Sequence, residues 1–477
     1  MPPRHAFAAV NLISDPIHGY LELTKRLTAA ESVAARLPAE DAAEEDLLDT
    51  AWVQRLRRIS QLQSARWVFP TAEHSRFTHG LGVMHEAGLW ARSLYPSLRE
   101  ALAEAAAEDR QVAAAPSEGL VVETLRVAGL LHDVGHGPFA HFFDDHVLRT
   151  YDAPPDPRRA AGKPLSHEDL SQLIVERELG GLIRALRRAP GSVPARDAFA
   201  KDETIDPAWV SFLVSKPALA DPTMPRWVRW LQPLFSGVFT VDNLDYVRRD
   251  AYLTGVAIGP VDAERLRRYT FVSARGLTLY EPGLGALEMF LTARLFMYQQ
   301  VYFHRTVRAI DLDLAEVFAP SVRALFGAGS PAERLADYAD LDEYALLHRA
   351  ARWARGDGVV PDGDAPDPGE GRVERWVGER WRSILLRQPT WRAEAEVRAE
   401  YEAGQRPDDR IASLGSDEPG RVRIDLAEVD SRPADATTTD RLLGVQARDG
   451  TDLRLSDALA RLPAYALIAR RYRRLAA

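Results

Sequence analysis

The chain has 477 residues, is 46% hydrophobic, carries a formal charge of −9 and contains no cysteine. These values exclude disulfides, thiolate nucleophiles and cysteine-based metal sites, and they argue against wholesale coating of a nucleic acid. No run of 18 apolar residues is present, and the first residues lack the charged and then apolar layout of a secretory signal. We therefore expect a cytoplasmic protein with no membrane partner, in which any metal is held by His, Asp and Glu.

The first predicted element is a small β-hairpin over residues 13–23, "ISDPIHGYLEL", where a Pro and a Gly separate two β-prone runs. Helical patterns dominate after it, because apolar residues recur at spacings of three and four. These patterns are "TAWVQRLRRISQLQ", "THGLGVMHEAGLWARSL", "GLVVETLRVAGLLHDV", "LSQLIVERELGGLIRALRR" and the long segment from "GALEMF" to "DLAEVF".

Three stretches have the composition of loops or insertions, namely residues 29–45, 152–164 and 356–372. After residue 373 the segments "RVRIDLAEV" and "RLLGVQAR" read as strands. We predict a mainly α fold in which residues 1–320 form a helical catalytic core with the N-terminal hairpin. Residues 321–477 are predicted to form a mixed α+β C-terminal lobe with a flexible linker near 356–372.

Potential metal ligands stand at the ends of three predicted helices. His132 and Asp133 follow the apolar run "VAGLL", and His79 stands at the head of another apolar helix. A third helix, "VDNLDYVRRDAYLTG", offers Asp242, Asp245 and Asp250. Imidazole nitrogens and carboxylate oxygens together suit Zn, Fe or Mn. The alternative for the His132 and Asp133 pair is a hydrogen-bonded core histidine beside a helix-end charge.

Six motifs between Leu12 and Leu314 occur in the same order as in a known family. They are "DPIHGYLEL", "QRLRRISQL", "VFPTAEHSRFTHGLGV", "AGLLHDVGHGPFAH", "DNLDYVRRDAYLTG" and "TARLFMYQQVYFHR". The chain resembles the HD-domain phosphohydrolases, and within them the deoxynucleoside triphosphate triphosphohydrolases (dNTPases). The resemblance is greatest to the branch in which an HD domain follows a SAM domain, although it does not include the SAM domain. It implies an HD-type helical core, and hydrolysis of a dNTP at the α-phosphorus to a deoxynucleoside and inorganic triphosphate.

By this resemblance, the ligands of a divalent metal ion are His79, His132, Asp133 and Asp242. The ion could be Mn, Fe, Mg, Zn, Co or Ni. Such a site leaves positions open for water and a phosphate oxygen, as metal catalysis requires.

The resemblance also assigns the proton transfers. His141 matches the family position that protonates the leaving oxygen, and Asp144 and His167 match positions that assist it. A histidine suits this task because imidazole titrates near neutral pH.

Substrate contacts follow from the same motifs. The matches to phosphate-binding positions are Arg76, His136, Tyr246 and Arg294. The matches to positions that hold the sugar 3′-OH are Gln61 and Asp250, and those that pack against the deoxyribose are Leu62 and Tyr302. Without the motif, an ion-pairing or surface role would be the ordinary interpretation of either arginine.

The chain departs from the family pattern at several positions. Asn243 replaces the lysine that follows the last metal-ligating Asp, and Tyr298 replaces a histidine that faces the base. Residues matching an allosteric guanine-nucleotide site are Asp49, Gln54 and Arg57, but Asn11 and Ser14 replace their lysine and asparagine neighbours. Activation by a nucleotide therefore stays open, and helix capping is an equal alternative for Asp49. The resemblance also implies a homo-oligomer.

The remaining histidines are interpreted as structural or surface residues, namely His18, His74, His85, His146 and His304. The tryptophans Trp227, Trp230, Trp376 and Trp381 are interpreted as packing residues. The C-terminal "ARRYRRLAA" is interpreted as a solvated helix face, with contact to nucleic acid or a partner subunit as alternatives.

The leading functional hypothesis is a metal-dependent dNTPase that serves nucleotide homeostasis or phage defence. One rival is an HD phosphohydrolase that cleaves a monophosphate, a signalling nucleotide or another phosphoester, and Asn243 keeps this rival open. A second rival is a non-catalytic nucleotide sensor or nucleic-acid-binding module.

Overall fold

A computed structural model of the chain describes residues 9–35, 42–109, 113–154, 162–191, 194–215, 221, 223–357, 373–432, 440 and 442–475. The fold is mainly α-helical, with a β-hairpin before the helices and strands mostly near the C-terminus, as the sequence predicts. Within the part of the chain that the structure describes, no helix combines the length and apolar character needed to cross a membrane.

The helices of the N-terminal two thirds surround the predicted site. Their bounds are α1 Ala29–Ala35, α2 Glu44–Leu48, α3 Ala51–Arg55, α4 Arg76–Glu108, α5 Glu118–Leu131, α6 His141–His146, α7 His167–Leu173, α8 Gly180–Ala185, α9 Pro194–Asp197, α10 Pro207–Val214, α11 Arg226–Leu231, α12 Pro233–Ser236, α13 Val241–Thr254, α14 Ala263–Arg268, α15 Leu284–Met297 and α16 Arg305–Phe326. Short 3-10 or π turns are Leu56–Arg58, Gln63–Trp67, Leu148–Thr150, Ile174–Glu178, Glu281–Gly283 and Tyr298–Tyr302. The later helices are α17 Leu335–Ala339, α18 Glu343–Trp353, α19 Val373–Leu385, α20 Asp408–Ala412 and α21 Leu455–Ala458.

The strands form three separate sheets. Their bounds are β1 Val10–Asp15, β2 Gly19–Thr24, β3 Thr270–Ser273, β4 Gly276–Tyr280, β5 Trp391–Tyr401, β6 Val422–Asp430, β7 Gly444–Gln446, β8 Asp452–Leu453 and β9 Tyr465–Arg474. The β1–β2 pair is the predicted hairpin. Strands β3, β4, β7 and β8 lie side by side in that order, with β4 and β7 parallel. Strand β9 lies between β5 and β6 and runs antiparallel to both.

Helices α4 and α5 form the centre of the core and deliver the site residues to the interior. Helix α4 is buried on nearly all sides from Phe77 to Ala91, whereas in its second half only one face is buried, as at Leu94, Leu98 and Ala105. Helix α5 is buried along nearly its whole length. Because a helix that is apolar on all sides belongs inside a domain, the residues at its C-terminal end, His132 and Asp133, emerge in the protein interior.

The predicted helix over "TAWVQRLRRISQLQ" is wrong beyond Arg55. The chain pairs instead with the segment that enters α4, because Gln61 donates its backbone N–H to His74 O (3.0 Å) and Arg76 donates to Ile59 O (3.0 Å). This backbone pairing overrides the local helical pattern. It also brings Gln61 next to Arg76.

The C-terminal arginines do not form a solvated helix face. They lie on β9, where Arg470 Nε bonds Glu396 Oε2 (2.5 Å) and Arg473 Nε bonds Glu394 Oε1 (2.5 Å) across the ladder to β5. The arginine repeat therefore supplies cross-strand ion pairs.

The predicted loops have mixed outcomes. Residues 29–45 include α1 and the start of α2, where the buried Glu44 pairs with Arg126 (2.6 Å). Within 152–164, residues 155–161 lie outside the described residues, as do residues 358–372 of the proposed linker. The division at residue 320 stays a prediction, and α16 runs across it.

Candidate metal centre and active site

Four side chains converge where α4, α5 and α13 approach one another. His79 lies in the first turn of α4, His132 and Asp133 follow α5, and Asp242 lies in the first turn of α13. His79 Nε2 is 3.0 Å from Asp242 Oδ1 and 3.9 Å from Asp133 Oδ2. His132 Nε2 is 3.4 Å from Asp133 Oδ1 and 3.8 Å from Asp242 Oδ1. The structure thus brings together the four predicted ligands from three chain segments.

Both histidine rings are held so that Nε2 points into this cluster. His79 Nδ1 bonds Asp245 Oδ2 (2.8 Å), and His132 Nδ1 bonds Gly129 O (2.8 Å). Each Nε2 is buried and lacks a hydrogen-bond partner among the described residues. A buried nitrogen without a partner is costly unless a guest occupies it. His79, His132 and Asp133 are therefore placed so that they could hold a divalent metal ion, and Asp242 lies beside them. Such nitrogen and carboxylate ligands suit Zn, Fe or Mn.

Asp245 supports the cluster from behind, a role that the sequence analysis did not assign to it. Its carboxylate also contacts His18 Nε2 (2.6 Å) and Arg249 Nε (2.8 Å). Gly82 permits this approach, because a Cβ there would lie 2.0 Å from Asp245 Oδ1. Burial lowers the pKa of His79, but Asp242 and Asp245 raise it to about 10. A metal ion must displace that proton, so metal affinity will decrease as the pH is lowered.

Arg76 lies directly beside the cluster. Its guanidinium donates a short hydrogen bond to Asp133 Oδ2, and both side chains are buried. Burial raises the pKa of Asp133, but Arg76, His132 and His136 together outweigh burial and hold that pKa well below its usual range. Arg76 Nε has no hydrogen-bond partner among the described residues, which leaves a buried donor at the site.

A second histidine and aspartate cluster adjoins the first. His167 Nδ1 bonds Asp144 Oδ2 at 2.5 Å, and His141 Nδ1 lies 3.4 Å from the same oxygen. The ring of His136 stacks on His167 with centroids 3.7 Å apart, and its Nε2 is 3.4 Å from Asp133 Oδ1. His136 therefore connects the two clusters.

The stacked rings of His136 and His167 differ in protonation state. Burial lowers the pKa of His167, but Asp144 raises it to about 9. Burial and the nearby Arg76 hold the pKa of His136 well below its usual range. At neutral pH His167 is therefore cationic and His136 neutral, which avoids two like charges in contact.

The loop before α6 is strained. Phe139 and Ala140 have φ values of 60° and 49°, a left-handed conformation that is unfavourable for residues with a Cβ. The backbone N–H of Phe139 is held by Glu343 Oε2 (3.2 Å). His141 follows this loop, and its side chain is 62% exposed, so it faces the open side of the cluster.

A cavity of about 250 Å³ is lined by Arg76, which pairs with Asp133 of the metal cluster, and by the predicted proton donor His141 of the second cluster. The other predicted substrate residues that line it are Gln61, Leu62, Tyr246, Asp250 and Tyr302. Tyr302 donates to Asp250 Oδ2 (2.5 Å), and His74 Nε2 is 2.9 Å from Asp250 Oδ1. Gln61 Oε1 is buried and has no partner among the described residues.

Two protein-family models match this chain. The HD domain family matches residues 76–189, and the HD-associated region matches residues 261–355. The chain therefore contains an HD domain followed by an HD-associated region. The HD match includes His79, His132 and Asp133, and Asp242 lies between the two matched segments.

Curated relatives of this HD protein are similar to it at moderate identity. An uncharacterized protein of Bacillus subtilis, YwfO, is 27% identical over 74% of this chain and 68% of its own length. The deoxynucleoside triphosphate triphosphohydrolase SAMHD1 of Homo sapiens is 27% identical over 71% of this chain. The match covers 49% of the human protein, so the chain spans about half of that relative.

Two solved structures share the fold along nearly the whole HD protein. A hypothetical protein from Aquifex aeolicus has a TM-score of 0.64 at 22% identity, covering 98% of this chain and 96% of that chain. A phosphohydrolase from Bacteroides thetaiotaomicron has a TM-score of 0.60 at 20% identity, covering 98% and 100%. Helices and C-terminal sheets are thus shared as one arrangement.

Tyr298, one of the positions that departs from the family pattern, lines the cavity of the HD protein together with Tyr302. Both lie on the π turn between α15 and α16, and their rings are 5.0 Å apart. Arg294 is not among the lining residues. Its guanidinium nevertheless lies 5.7 Å from the centre of the Tyr298 ring. Its Nε is buried and has no hydrogen-bond partner among the described residues. Asn243 Nδ2 is 3.4 Å from Asp242 Oδ2, so its amide faces a metal-ligating carboxylate.

Two residues of α16 complete the cavity wall, and a residue of the C-terminal lobe holds one of them; the sequence analysis assigned none of the three. Arg308 and Asp311 line the cavity from α16. Asp425 on β6 binds Arg308 through both carboxylate oxygens (2.5 and 3.0 Å), and Ser64 donates a short hydrogen bond to Asp311. No signal within the motifs could have linked β6 to the cavity, because 117 residues separate Arg308 from Asp425.

Glu343 is a further residue that the sequence analysis missed. It lies at the start of α18 and is fully buried. Besides Phe139 N–H, its carboxylate accepts from Ser60 N–H (3.2 Å) and Arg66 Nη1 (2.9 Å). One carboxylate therefore ties the loop before His141 to the segment that carries Gln61.

The predicted allosteric residues are only partly brought together. Arg57 Nε bonds Gln54 Oε1 (2.8 Å), and the Arg57 guanidinium lies 3.6 Å from the Phe77 ring. Asp49 is exposed and does not cap α3. The cap is Thr50, whose side chain accepts from Val53 N–H. The capping alternative for Asp49 is therefore wrong, and its allosteric role stays a prediction.

The other histidines have structural contacts, as predicted. His304 caps α16, and His146 stacks on Phe142 with centroids 4.1 Å apart. His18 and His85 lie 5.2 Å apart behind the metal centre. His74 and His18 nevertheless hold Asp250 and Asp245, so they act on the site through another residue.

Proposed function

We propose that the protein hydrolyses deoxynucleoside triphosphates to a deoxynucleoside and inorganic triphosphate. The observation that carries the proposal is the position of the two clusters. They meet at His136, and one cavity is lined by Arg76, which pairs with Asp133, and by His141 of the second cluster. The metal cluster has buried nitrogens free to bind an ion, and the second has an ion pair beside an exposed histidine. Metal binding and proton transfer are thereby available at one phosphoester.

The triphosphate is proposed to bind against Arg76, His136, Tyr246 and Arg294. Arg76 and Arg294 each have a buried Nε without a partner among the described residues, and charge-assisted donors of this kind suit phosphate oxygens. A divalent ion at His79, His132, Asp133 and Asp242 would neutralise phosphate charge and make water more acidic.

His141 is proposed to protonate the 5′-oxygen of the departing deoxynucleoside. It lies at the cavity and shares Asp144 with His167. Asp144 orients His141, while the cationic His167 keeps Asp144 ionised. This arrangement of an acid held by a carboxylate is common in general acid catalysis.

Gln61, with Leu62 and Tyr302, is proposed to bind the sugar. Both oxygens of Asp250 already have donors, whereas Gln61 Oε1 is a free buried acceptor for the 3′-OH. A substrate without that hydroxyl would leave the acceptor unsatisfied, so it should be discriminated against.

The testing experiment is incubation of metal-supplemented protein with each dNTP and matching rNTP, with chromatography of nucleoside and inorganic triphosphate. Equal amounts of deoxynucleoside and triphosphate are expected. Release of monophosphate and pyrophosphate, or of orthophosphate, would contradict the proposal.

A second candidate is hydrolysis of another nucleotide or phosphoester. Asn243 favours it, because the amide faces Asp242 and adds no positive charge for a triphosphate. Turnover of a nucleoside monophosphate or a cyclic dinucleotide in the same assay, without turnover of dNTPs, would support it. Tight nucleotide binding without turnover with any metal would instead support a sensor. Assembly into a homo-oligomer, activation by a nucleotide at Asp49, Gln54 and Arg57, and a cytoplasmic location remain part of the proposal.

A further inference from the structure

A second cavity, of about 600 Å³, lies away from the site described above. It is enclosed by α11, the turn between β3 and β4, and residues that precede β7. None of its lining residues also lines the cavity beside Arg76 and His141. Its volume is within the range of small-molecule sites.

Three arginines give this cavity its charge. Arg226 and Arg229 are one helical turn apart on α11, and Arg275 faces them from the turn after β3. Arg275 pairs with Asp452 (2.6 Å). Among the described residues, neither Arg226 nor Arg229 has an ion pair or hydrogen bond, and Arg229 Nε is buried. Two like charges on one helix face repel each other, so an anion between them is favourable.

The acidic residue of the cavity does not neutralise them. Asp440 is held by Arg454 Nε (3.2 Å) and by the backbone N–H of Ser456 (3.0 Å). The uncompensated charge that faces the cavity is therefore positive.

Trp230 supplies a flat surface next to this charge. Its ring lines the cavity and lies 5.7 Å from the Arg226 guanidinium. Gly276 stands against one edge of the ring, where a Cβ would lie 3.2 Å from Trp230 Cδ1. The absence of a side chain there lets the turn pack against the ring without a clash, and an aromatic face beside a cation suits a planar ring that carries an anionic group.

From these observations we infer that this cavity is an accessory site for a small phosphorylated ligand with a planar ring, such as a mononucleotide. The phosphate lies between Arg226 and Arg229, and the ring stacks on Trp230. This site is independent of the proposed hydrolysis.

The test is calorimetric titration of the full chain with adenosine diphosphate, inorganic pyrophosphate and adenosine. The Arg226→Gln/Arg229→Gln double variant should weaken binding of adenosine diphosphate and of pyrophosphate about 10- to 100-fold, as expected for charged hydrogen bonds. Hydrolysis of dNTPs and the melting temperature should stay nearly unchanged, because neither arginine has an ion pair or hydrogen bond to lose among the described residues. Arg349→Gln is the control, since Arg349 is exposed on α18.

The ring contact is tested with Trp230→Ala and Trp230→Phe. Adenosine diphosphate should bind at least about fivefold more tightly than pyrophosphate, and Trp230→Ala should remove that difference while Trp230→Phe retains most of it. Equal affinity for the two ligands in the unmodified chain would overturn the ring contact.

The Asp242→Ala variant separates this cavity from the metal centre. The inferred binding event should persist in it. If adenosine diphosphate no longer binds to Asp242→Ala but still binds to the arginine double variant, the ligand belongs to the metal centre and the inference is overturned. Tighter binding of a 5′-phosphorylated oligonucleotide than of adenosine diphosphate would overturn the assignment to a small ligand.

Discussion

The two histidine and aspartate clusters of the HD domain have similar composition but opposite internal bonding. In the metal cluster, the hydrogen bonds to Asp245 and to Gly129 O lie behind the rings, and both Nε2 atoms face inward without a partner among the described residues. In the second cluster, the contact between His167 and Asp144 is within the cluster itself. The supporting bonds of the first cluster therefore leave its Nε2 atoms open to an ion, whereas a bond inside the second cluster already joins His167 Nδ1 to Asp144 Oδ2.

Removal of a ligand from the metal cluster should have the largest effect. We expect Asp242→Ala to lose the bound metal and about a thousandfold of turnover, because a metal supplies several kcal/mol of charge stabilisation. Elemental analysis and initial rates check this result. Asp340→Ala, which removes an exposed carboxylate, should keep one ion per chain. Two ions per chain in the unmodified protein would show that the second cluster also binds metal.

Removal of the exposed histidine of the second cluster should reduce turnover without loss of metal. For His141→Gln we expect kcat to fall on the order of 10²–10³-fold, the usual contribution of a general acid. A phosphoester with a 4-nitrophenolate leaving group, which needs no proton, should lose far less. His146→Gln on the same helix is the control. Equal losses for both substrates would argue against proton donation by His141.

Asp245→Asn should weaken metal binding, because Asp245 holds the ring of His79. We expect metal affinity to fall about 10- to 100-fold, the usual effect of a change to a residue that supports a ligand. Competition with a chelator measures it, with Asp144→Asn as the comparison. Gly82→Ala should have the same effect on metal affinity, because its Cβ would displace Asp245. Unchanged affinity in both variants would mean that His79 is oriented by other contacts.

Asp144→Asn should have the smallest effect. We expect it to lower the free energy of unfolding by about 2 kcal/mol. The pKa of Asp144 is lowered, so its contribution is present above the ordinary value of 3.8 and is lost as the pH falls through the lowered pKa. The pKa of His167 is raised from 6.5 to about 9, so its contribution is full below 6.5 and is lost as the pH rises through 9. The difference in melting temperature between the two proteins should therefore be largest near pH 4–6.5 and should vanish above pH 9. A difference independent of pH would exclude the ion pair as its cause.

The sequence predicted the parts of the site that lie in compact motifs. The four metal ligands, and His136 with His141, Asp144 and His167, stand within or beside such motifs, and the structure places each group together. Asp245 was recorded as a carboxylate on α13, but its contact with His79 depends on helix packing. The ion pair between Arg308 and Asp425 joins distant segments, and β9 was mistaken for a helix because its arginines pair across strands. Contacts that depend on the tertiary fold leave no local pattern to read.

The contacts of Glu343 affect the order in which parts of the protein fold. The N–H groups of Ser60 and Phe139 depend on a carboxylate that leaves the ribosome about 200 residues after Phe139. The HD segment can therefore collapse early, during synthesis, with His79, His132 and Asp133 present and before Asp242 joins them. Its strained loop acquires the final conformation only after α18 has docked, so formation of the active site is a late step of folding.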